Sequence, residues 1–201
     1  MIRAGHPAFA KFSEVMSRSV APLIPTEASL SRLAHTAILI KVAKNDHLLR
    51  AGEPVTKLYF VESGVFRYYY VNPETGKERT GQFFDEGDCF TDVPGFSAGV
   101  PAVQWIQSLS EGRVLALDRQ SIRDCYDHDH AVERYARIMM EGALSGSQKR
   151  TAELLNLSPQ ERYSRFLERR GSLARTLPQY MIASFLGITP EALSRIAGRP
   201  S

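Results

Sequence analysis

The stretch Leu177–Arg199, LPQYMIASFLGITPEALSRIAGR, decides the fold of the C-terminal part of this chain. Counted from Gln179, its fifth residue is Ala183 and its ninth is Gly187. A small residue at the fifth place lets a second helix cross closely, and a glycine at the ninth can adopt the backbone of a tight turn. Apolar residues fill the places that two packed helices share: Ile182, Leu186, Ile188, Leu193 and Ile196. The spacing predicts a helix-turn-helix.

The second helix of this motif presents a polar face. Thr189 is suited to cap it and Pro190 to begin it. Glu191, Ser194 and Arg195 then project together, because they are spaced i, i+3, i+4. In a DNA major groove Arg195 could bind guanine, Glu191 could accept from cytosine, and Ser194 could contact a base or a phosphate. The alternative is a solvated helix face with a Glu191–Arg195 ion pair. The candidate DNA-contacting residues are Thr189, Glu191, Ser194, Arg195 and Arg199.

Two further helices are predicted upstream. Ser158 to Glu161 form a capping box that opens a helix through Arg170, with Gly171 as its stop. Before it, the segment 129–156 is helical in pattern, and its weakly apolar stripe contains Val132, Tyr135, Ala136, Met139, Ala143, Gly146 and Thr151. Gly142 and Gly146 would each cost roughly 1 kcal/mol in an isolated helix. They therefore indicate close approach of another backbone or a local break, and the helix is either a dimerisation helix or packed within its own chain.

The region from Ile38 to Leu117 has a residue pattern that is typical of β-strands. Short β-branched and aromatic runs alternate with turn residues, and NPETGK at 72–77 is typical of a hairpin connection. Glycines stand at strand boundaries, at Gly52, Gly64 and Gly87. The pattern predicts an antiparallel barrel or jelly roll. Residues 7–36 instead show helical spacing interrupted by prolines, which predicts two short helices in front of the barrel.

Composition narrows the class of protein. The chain of 201 residues carries a net charge of +3, but nine basic and four acidic residues follow Gln148, which suits a polyanion partner. We expect Arg169 and Arg170 to lie near a DNA backbone.

The two cysteines, Cys89 and Cys125, lack the spacing of a zinc or iron-sulfur site. No apolar run near the N-terminus is long enough for a signal peptide or membrane span, so we expect a cytoplasmic protein without membrane association.

Taken together, the order of elements resembles the Crp/Fnr family. The closest motifs are GxxxxxLYFVESGxxR at Gly52–Arg67, FDEGDCF at Phe84–Phe90 and GITPEALSR at Gly187–Arg195. The resemblance implies an α+β fold: a jelly-roll barrel like a cyclic-nucleotide-binding domain, a long dimerisation helix and a helical, winged-helix-like C-terminal domain. The corresponding segments are 1–128, 129–156 and 157–201. It also implies a homodimer that binds palindromic double-stranded DNA with contacted G·C pairs, with RNA polymerase as a further candidate partner.

The barrel departs from the best-known ligand of that family. Members that bind cyclic AMP have a glutamate after the third barrel glycine for the ribose, and an arginine-serine pair further on for the phosphate. Counted without gaps from Gly87, those places hold Asp92, Ala102 and Val103. The phosphate would therefore lack a cation, and we expect no cyclic AMP binding. These four residues remain effector-pocket candidates, and the direction of Arg67, Arg79 and Arg113 stays open. No spacing supports haem at His35, His47 or Cys89, so we assign no cofactor.

Two other classes of function compete with a DNA-binding regulator. A cupin-like metal enzyme would need a histidine pair in the strands, whereas His47 is the only histidine from Ile38 to Leu117. The segment DCYDHDH, Asp124–His130, is rich in potential ligands but also suits a helix-to-helix corner capped by Asp127 or Asp129. We assign no catalytic and no metal-binding residue and expect no enzyme. The third class is an interaction module with a degenerate helix-turn-helix, which the intact register argues against.

Overall fold

The computed structural model describes residues 2, 3 and 5–198. The helices are α1 Pro7–Val20, α2 Glu27–Thr36, α3 Val93–Ala98, α4 Arg119–Tyr126, α5 His130–Asn156, α6 Pro159–Thr176, α7 Gln179–Leu186 and α8 Pro190–Ala197. The strands are β1 Ile38–Val42, β2 His47–Leu49, β3 Lys57–Ser63, β4 Phe66–Val71, β5 Glu78–Phe84, β6 Cys89–Phe90, β7 Trp105–Ser108 and β8 Gly112–Asp118. The chain forms two compact units, one of residues up to Tyr68 with Phe83–Glu141, the other of Tyr69–Gln82 with the chain from Gly142 onward.

The two predicted N-terminal helices are present. The His6 ring caps α1, with Pro7 as its first residue, and the Thr26 hydroxyl caps α2. The apolar face of α1 buries Phe9, Phe12 and Met16 in the same core as the barrel. The helical spacing of these residues is therefore explained by burial of one helix face.

The predicted β-region folds into two four-stranded sheets. Their strand orders are β1-β8-β3-β6 and β2-β7-β4-β5, and β8 pairs antiparallel with both β1 and β3. The predicted hairpin connection joins β4 to β5. Aromatic rings fill the interior: Phe90 stacks on Tyr59 and on Phe84, and lies 5.5 Å from Phe66 between ring centroids. The antiparallel barrel expected from the sequence is confirmed.

Glycine is required at the strand corners. Gly52, Gly64 and Gly87 all have positive φ, as their position at strand boundaries predicted. At Gly64, where φ is +98°, a Cβ atom would also lie 2.9 Å from the Cα of Gly112. That separation is shorter than a carbon–carbon contact allows, so this corner tolerates no side chain.

The beginning of the long helix α5 is buried, whereas its middle is exposed to solvent. Its start is capped by Asp129, whose carboxylate accepts hydrogen bonds from the backbone N–H groups of Ala131 and Val132. Val132 and Tyr135 are buried in the core of the barrel unit, so this part of the predicted stripe packs within its own chain. Residues 141–149 are exposed. The helix is unbroken at Gly142 and Gly146, and a Cβ atom at either would meet no atom of the described residues.

The helix α6 contains a break where the sequence predicted its end. Its capping box is present, with Ser158 and Glu161 exchanging hydrogen bonds as expected. At the predicted stop the backbone kinks: Arg170 leaves the helical conformation, at φ −141° and ψ 36°, and a second helical segment follows to Thr176. Leu173 and Leu177 are buried after the kink. Burial of these leucines stabilises the second segment, which the sequence did not predict.

Candidate DNA-binding surface

The helix-turn-helix has the geometry that its sequence spacing predicts. Helix α7 ends at Gly187, which adopts the left-handed conformation at φ 69° and ψ 31°. The N–H of Ile188 then donates to the carbonyl of Ala183 at 3.0 Å, which closes the turn. Ala183 and Leu193 are completely buried between the helices, and Ile188 and Ile196 are half-buried. The residues assigned to the core of the motif therefore occupy its inner side.

Four of the five residues assigned to DNA contact lie at the cap of α8 or on its first two turns. Thr189 caps the helix, its hydroxyl accepting from the N–H of Ala192 at 3.2 Å. Glu191, Ser194 and Arg195 are all exposed, so the structure brings these three side chains to one open face. The Nε of Arg195 donates to the backbone carbonyl of Glu191 at 3.4 Å. Arg199 lies outside the described residues.

The carboxylate of Glu191 is held in its charged form. Hydrogen bonds from its own backbone N–H and from the Thr189 hydroxyl, followed by the nearby charge of Arg195, lower the pKa of Glu191 below its ordinary value. A carboxylate is a hydrogen-bond acceptor only. At neutral pH this side chain is therefore suited to an amino group of a base and unsuited to a phosphate.

Part of the basic surplus near the C-terminus is used inside the protein. Arg169 and Arg165 donate to the carboxylate of Glu153 on α5, at 2.7 and 3.5 Å. Burial acts to raise the pKa of Glu153, but the two arginines outweigh it and the pKa is lowered. Arg162 donates to the carbonyl of Leu157 at 2.7 Å and so covers the C-terminal end of α5. These arginines stabilise the junction of α5 and α6. The net charge of the segment did not reveal this role.

The effector-pocket candidates of the barrel do not line a common polar site. Asp92 is completely buried, and its carboxylate accepts hydrogen bonds from the N–H groups of Gly95, Val103 and Gln104 at 2.8–3.2 Å. Gly87 forms a turn at φ +91° and Ala102 is buried, whereas the Val103 side chain is 53% exposed. The carboxylate of Asp92 is therefore already bonded to the backbone of its own loop.

The hydrogen bonds accepted by Asp92 stabilise the fold. Replacing Asp92 with alanine should lower the free energy of unfolding by about 2–3 kcal/mol, because buried backbone N–H groups lose their acceptor. Urea unfolding followed by the fluorescence of Trp105, the single tryptophan, would measure this change. Asp92→Asn, which keeps one acceptor oxygen, should lose less, and Asp127→Ala at an exposed position is the matched control. Unfolding midpoints that are equal for Asp92→Ala and Asp127→Ala would contradict the structural role.

Arginine and cysteine side chains of the barrel are engaged by protein groups. Arg67 is buried, and its Nε and Nη2 donate to the Gln107 side-chain oxygen at 3.0 and 2.7 Å. Arg113 is paired with Glu62 on the surface, and Arg79 is exposed. Burial raises the pKa of the Cys89 thiol to about 12, and its Sγ lies 3.4 Å from the Tyr135 hydroxyl. The Cys89 side chain is thus a protonated thiol at neutral pH, which is a poor ligand and a poor nucleophile.

The acidic and histidine-rich segment Asp124–His130 is a helix-to-helix corner. Asp129 caps α5 and also accepts hydrogen bonds from the N–H and hydroxyl of Thr26. Burial acts to raise the pKa of Asp129, but its hydrogen bonds from Thr26 and Ser29 outweigh this and lower it. Within the part of the chain that the structure describes, no three His, Cys, Asp or Glu side chains form a group that could hold a metal ion.

Comparison with known proteins gives matches to both halves of this architecture. The family model of the cyclic nucleotide-binding domain matches residues 39–129. An anaerobic regulatory protein of Pasteurella multocida is 26% identical over 171 residues, which cover 79% of this chain and 61% of the relative. The match to a fumarate and nitrate reduction regulatory protein of Vibrio cholerae is also 26% identical and covers 66% of that protein. The chain thus spans less than two thirds of the length of these relatives.

Solved structures show the same fold. The structure of FixK2 from Bradyrhizobium japonicum superposes with a TM-score of 0.72 at 23% identity, covering 80% of this chain and 82% of that one. A transcriptional regulator of the Crp/Fnr family from Eubacterium rectale gives a TM-score of 0.71 at 18% identity, with 85% and 81% covered. None of the helices within the described residues is both long and apolar enough to cross a membrane.

Proposed function

We propose that the chain is a member of the Crp/Fnr family and a sequence-specific DNA-binding transcription regulator that acts as a homodimer on palindromic operators; the cyclic nucleotide-binding domain match, the anaerobic regulatory relatives and the shared fold support this proposal. The observation that carries this proposal is the open face of α8, where Glu191, Ser194 and Arg195 stand side by side behind the left-handed turn at Gly187. We assign the protein to the cytoplasm, with double-stranded DNA as its partner and with RNA polymerase and a small-molecule effector as further candidate partners. We assign it no cofactor and no enzymatic activity.

The chemistry of α8 supports base readout in the major groove. The N-terminal turns of a recognition helix face the base edges in a helix-turn-helix complex. Arg195 supplies a forked donor for the O6 and N7 of guanine, and the ionised Glu191 supplies an acceptor for the amino group of cytosine. Ser194 between them is short enough to reach a base or a phosphate. This combination favours operators with G·C pairs in each half-site.

Binding to genomic DNA fragments, followed by footprinting, tests the proposal. We expect protection of a palindrome whose half-site centres are about 34 Å apart, since one recognition helix reads each half. Fragments without the palindrome serve as the matched control. Equal binding of all fragments, with a steep dependence on salt, would instead indicate electrostatic attraction alone.

The exposed part of α5 supports the homodimer. Leu144 and Leu155 are 62% and 79% exposed on a helix whose residues 141–149 are open to solvent. Leu144 and Leu155 are separated by about three helical turns, so they project from one side of α5 and suit packing against a second copy of that helix. We propose that this part of α5 forms the dimer contact.

Replacing Leu144 with glutamate should convert the dimer to a monomer, because the charge would be buried against the partner helix. Light scattering of the wild-type protein at micromolar concentration should report a dimer and that of the variant a monomer. Leu167→Glu, an exposed leucine on α6, is the control and should remain dimeric. A monomeric wild-type protein in the presence of DNA would overturn the dimer proposal.

Cyclic AMP should neither bind nor change DNA affinity. The loop that carries Ala102 and Val103 offers no cation to the phosphate, and aromatic rings fill the space beside Phe90. Calorimetry with cyclic AMP should therefore show no heat of binding, and operator affinity should be equal with and without the nucleotide. Micromolar affinity for cyclic AMP would contradict this prediction.

A further inference from the structure

The hairpin formed by β4 and β5 contacts the first helix of the helix-turn-helix within one compact unit. The Ser184 hydroxyl on α7 accepts a hydrogen bond from the N–H of Thr80 at 3.0 Å and donates one to the carbonyl of Glu78 at 3.2 Å. Among the described residues, β5 is the edge strand of its sheet, so one side of its backbone is open to contacts from outside the sheet. One hydroxyl group thus satisfies both a donor and an acceptor of this edge.

Arg150 on α5 completes the contact. Its Nη2 donates to the carbonyl of Thr80 at 3.2 Å, and its guanidinium lies 4.2 Å from the ring centroid of Phe185. Phe185 in turn contacts the buried ring of Phe166 on α6, at 5.6 Å between centroids. Stacking and a hydrogen bond together fix the orientation of an arginine more firmly than either alone.

We propose that these contacts, made by Glu78, Thr80, Arg150, Ser184 and Phe185 and called here the hairpin clasp, set the position of the helix-turn-helix. Ser184 and Arg150 are its positioning residues. The clasp holds α7 from the side of the hairpin and leaves Glu191, Ser194 and Arg195 on α8 exposed. It therefore orients the recognition helix and does not block it.

Asn72 stiffens the hairpin that carries the clasp, its side-chain oxygen accepting hydrogen bonds from the N–H groups of Glu74 and Thr75. The turn that precedes Glu78 and Thr80 is thus held by its own hydrogen bonds. This inference rests on the proposed DNA-binding function.

Replacing Ser184 with alanine tests the clasp by two measurements on the whole chain of 201 residues. Hydrogen exchange at the Thr80 amide should become faster by about tenfold, and operator affinity should fall by about fivefold, as expected for loss of one hydrogen bond. Base preference and salt dependence should not change, because Ser184 lies outside the recognition face. Ser184→Thr keeps the hydroxyl and should restore both values.

The controls separate the clasp from other effects. Ser164→Ala, at an exposed serine of α6, should alter neither measurement. Arg150→Met keeps the apolar contact and removes the donor, and it should resemble Ser184→Ala. Faster exchange with unchanged affinity would overturn the positioning role, as would lower affinity with unchanged exchange. Wild-type protein that selects no DNA sequence would overturn the proposed function instead, and the exchange measurement would then decide whether the clasp forms.

Discussion

Replacing Gly187 with valine should reduce operator binding by about a hundredfold or more while the barrel stays folded. Gly187 has φ 69°, a conformation that costs an L-residue about 1–2 kcal/mol and a β-branched residue more. A Cβ atom at this position would also lie 3.0 Å from Cδ2 of Leu154. Both effects displace α8 from α7, so the recognition residues lose their common orientation. Electrophoretic mobility shift measures the loss, and Trp105 fluorescence checks the barrel.

Two variants control for unspecific effects of a side chain at a glycine. Gly187→Asn should retain more affinity than valine, because asparagine tolerates the left-handed conformation better. Gly171→Ala should be nearly neutral, since a Cβ atom there would meet no atom of the described residues. Operator affinity that stays normal in Gly187→Val would show that the turn does not determine how the two helices dock.

The elements that the sequence predicted correctly are those with local causes. The turn at Gly187, the cap at Thr189 and the capping box at Ser158 each depend on residues within one helical turn. The strand corners at Gly52 and Gly64 depend on backbone conformation at one residue. Such constraints can be read from residue type and spacing alone.

The features that the sequence did not predict depend on distant partners. The helical segment that follows the break at Arg170 was not predicted, because it depends on the burial of Leu173. Nothing in its neighbourhood predicted that Asp92 would bind backbone groups up to twelve residues away. The same holds for Ser184 and Thr80, which are 104 residues apart in the chain. Ser184 gave no signal in the sequence, since a serine in the middle of a helix is ordinary.

Long-range contacts also change how the basic residues should be tested. The sequence placed Arg169 and Arg170 near a DNA backbone, but Arg169 is held by Glu153 at the junction of α5 and α6. Its removal would disturb that junction as well as any phosphate contact. A test of base readout therefore has to compare variants at one exposed position, and Arg195 is suited to it.

Replacing Arg195 with alanine should weaken operator binding by about 1–3 kcal/mol and relax the preference at one base pair in each half-site. The dependence of affinity on salt should barely change, since a contact to a base releases no counterion from a phosphate. Binding measured on operators with each base at that position, at several salt concentrations, gives both quantities. Arg175→Ala, at an exposed arginine of α6, should leave the base preference intact.

Arg195→Lys separates base readout from attraction by charge. Lysine keeps the positive charge but lacks the planar fork that donates to two acceptors of guanine. If Arg195 reads a guanine, the lysine variant should lose much of the base preference even though the salt dependence remains. If lysine restores both affinity and preference, Arg195 acts through its charge at a phosphate. Specificity would then have to come from Glu191, from Ser194 or from the shape of the operator, because these are the remaining sources of discrimination on this face.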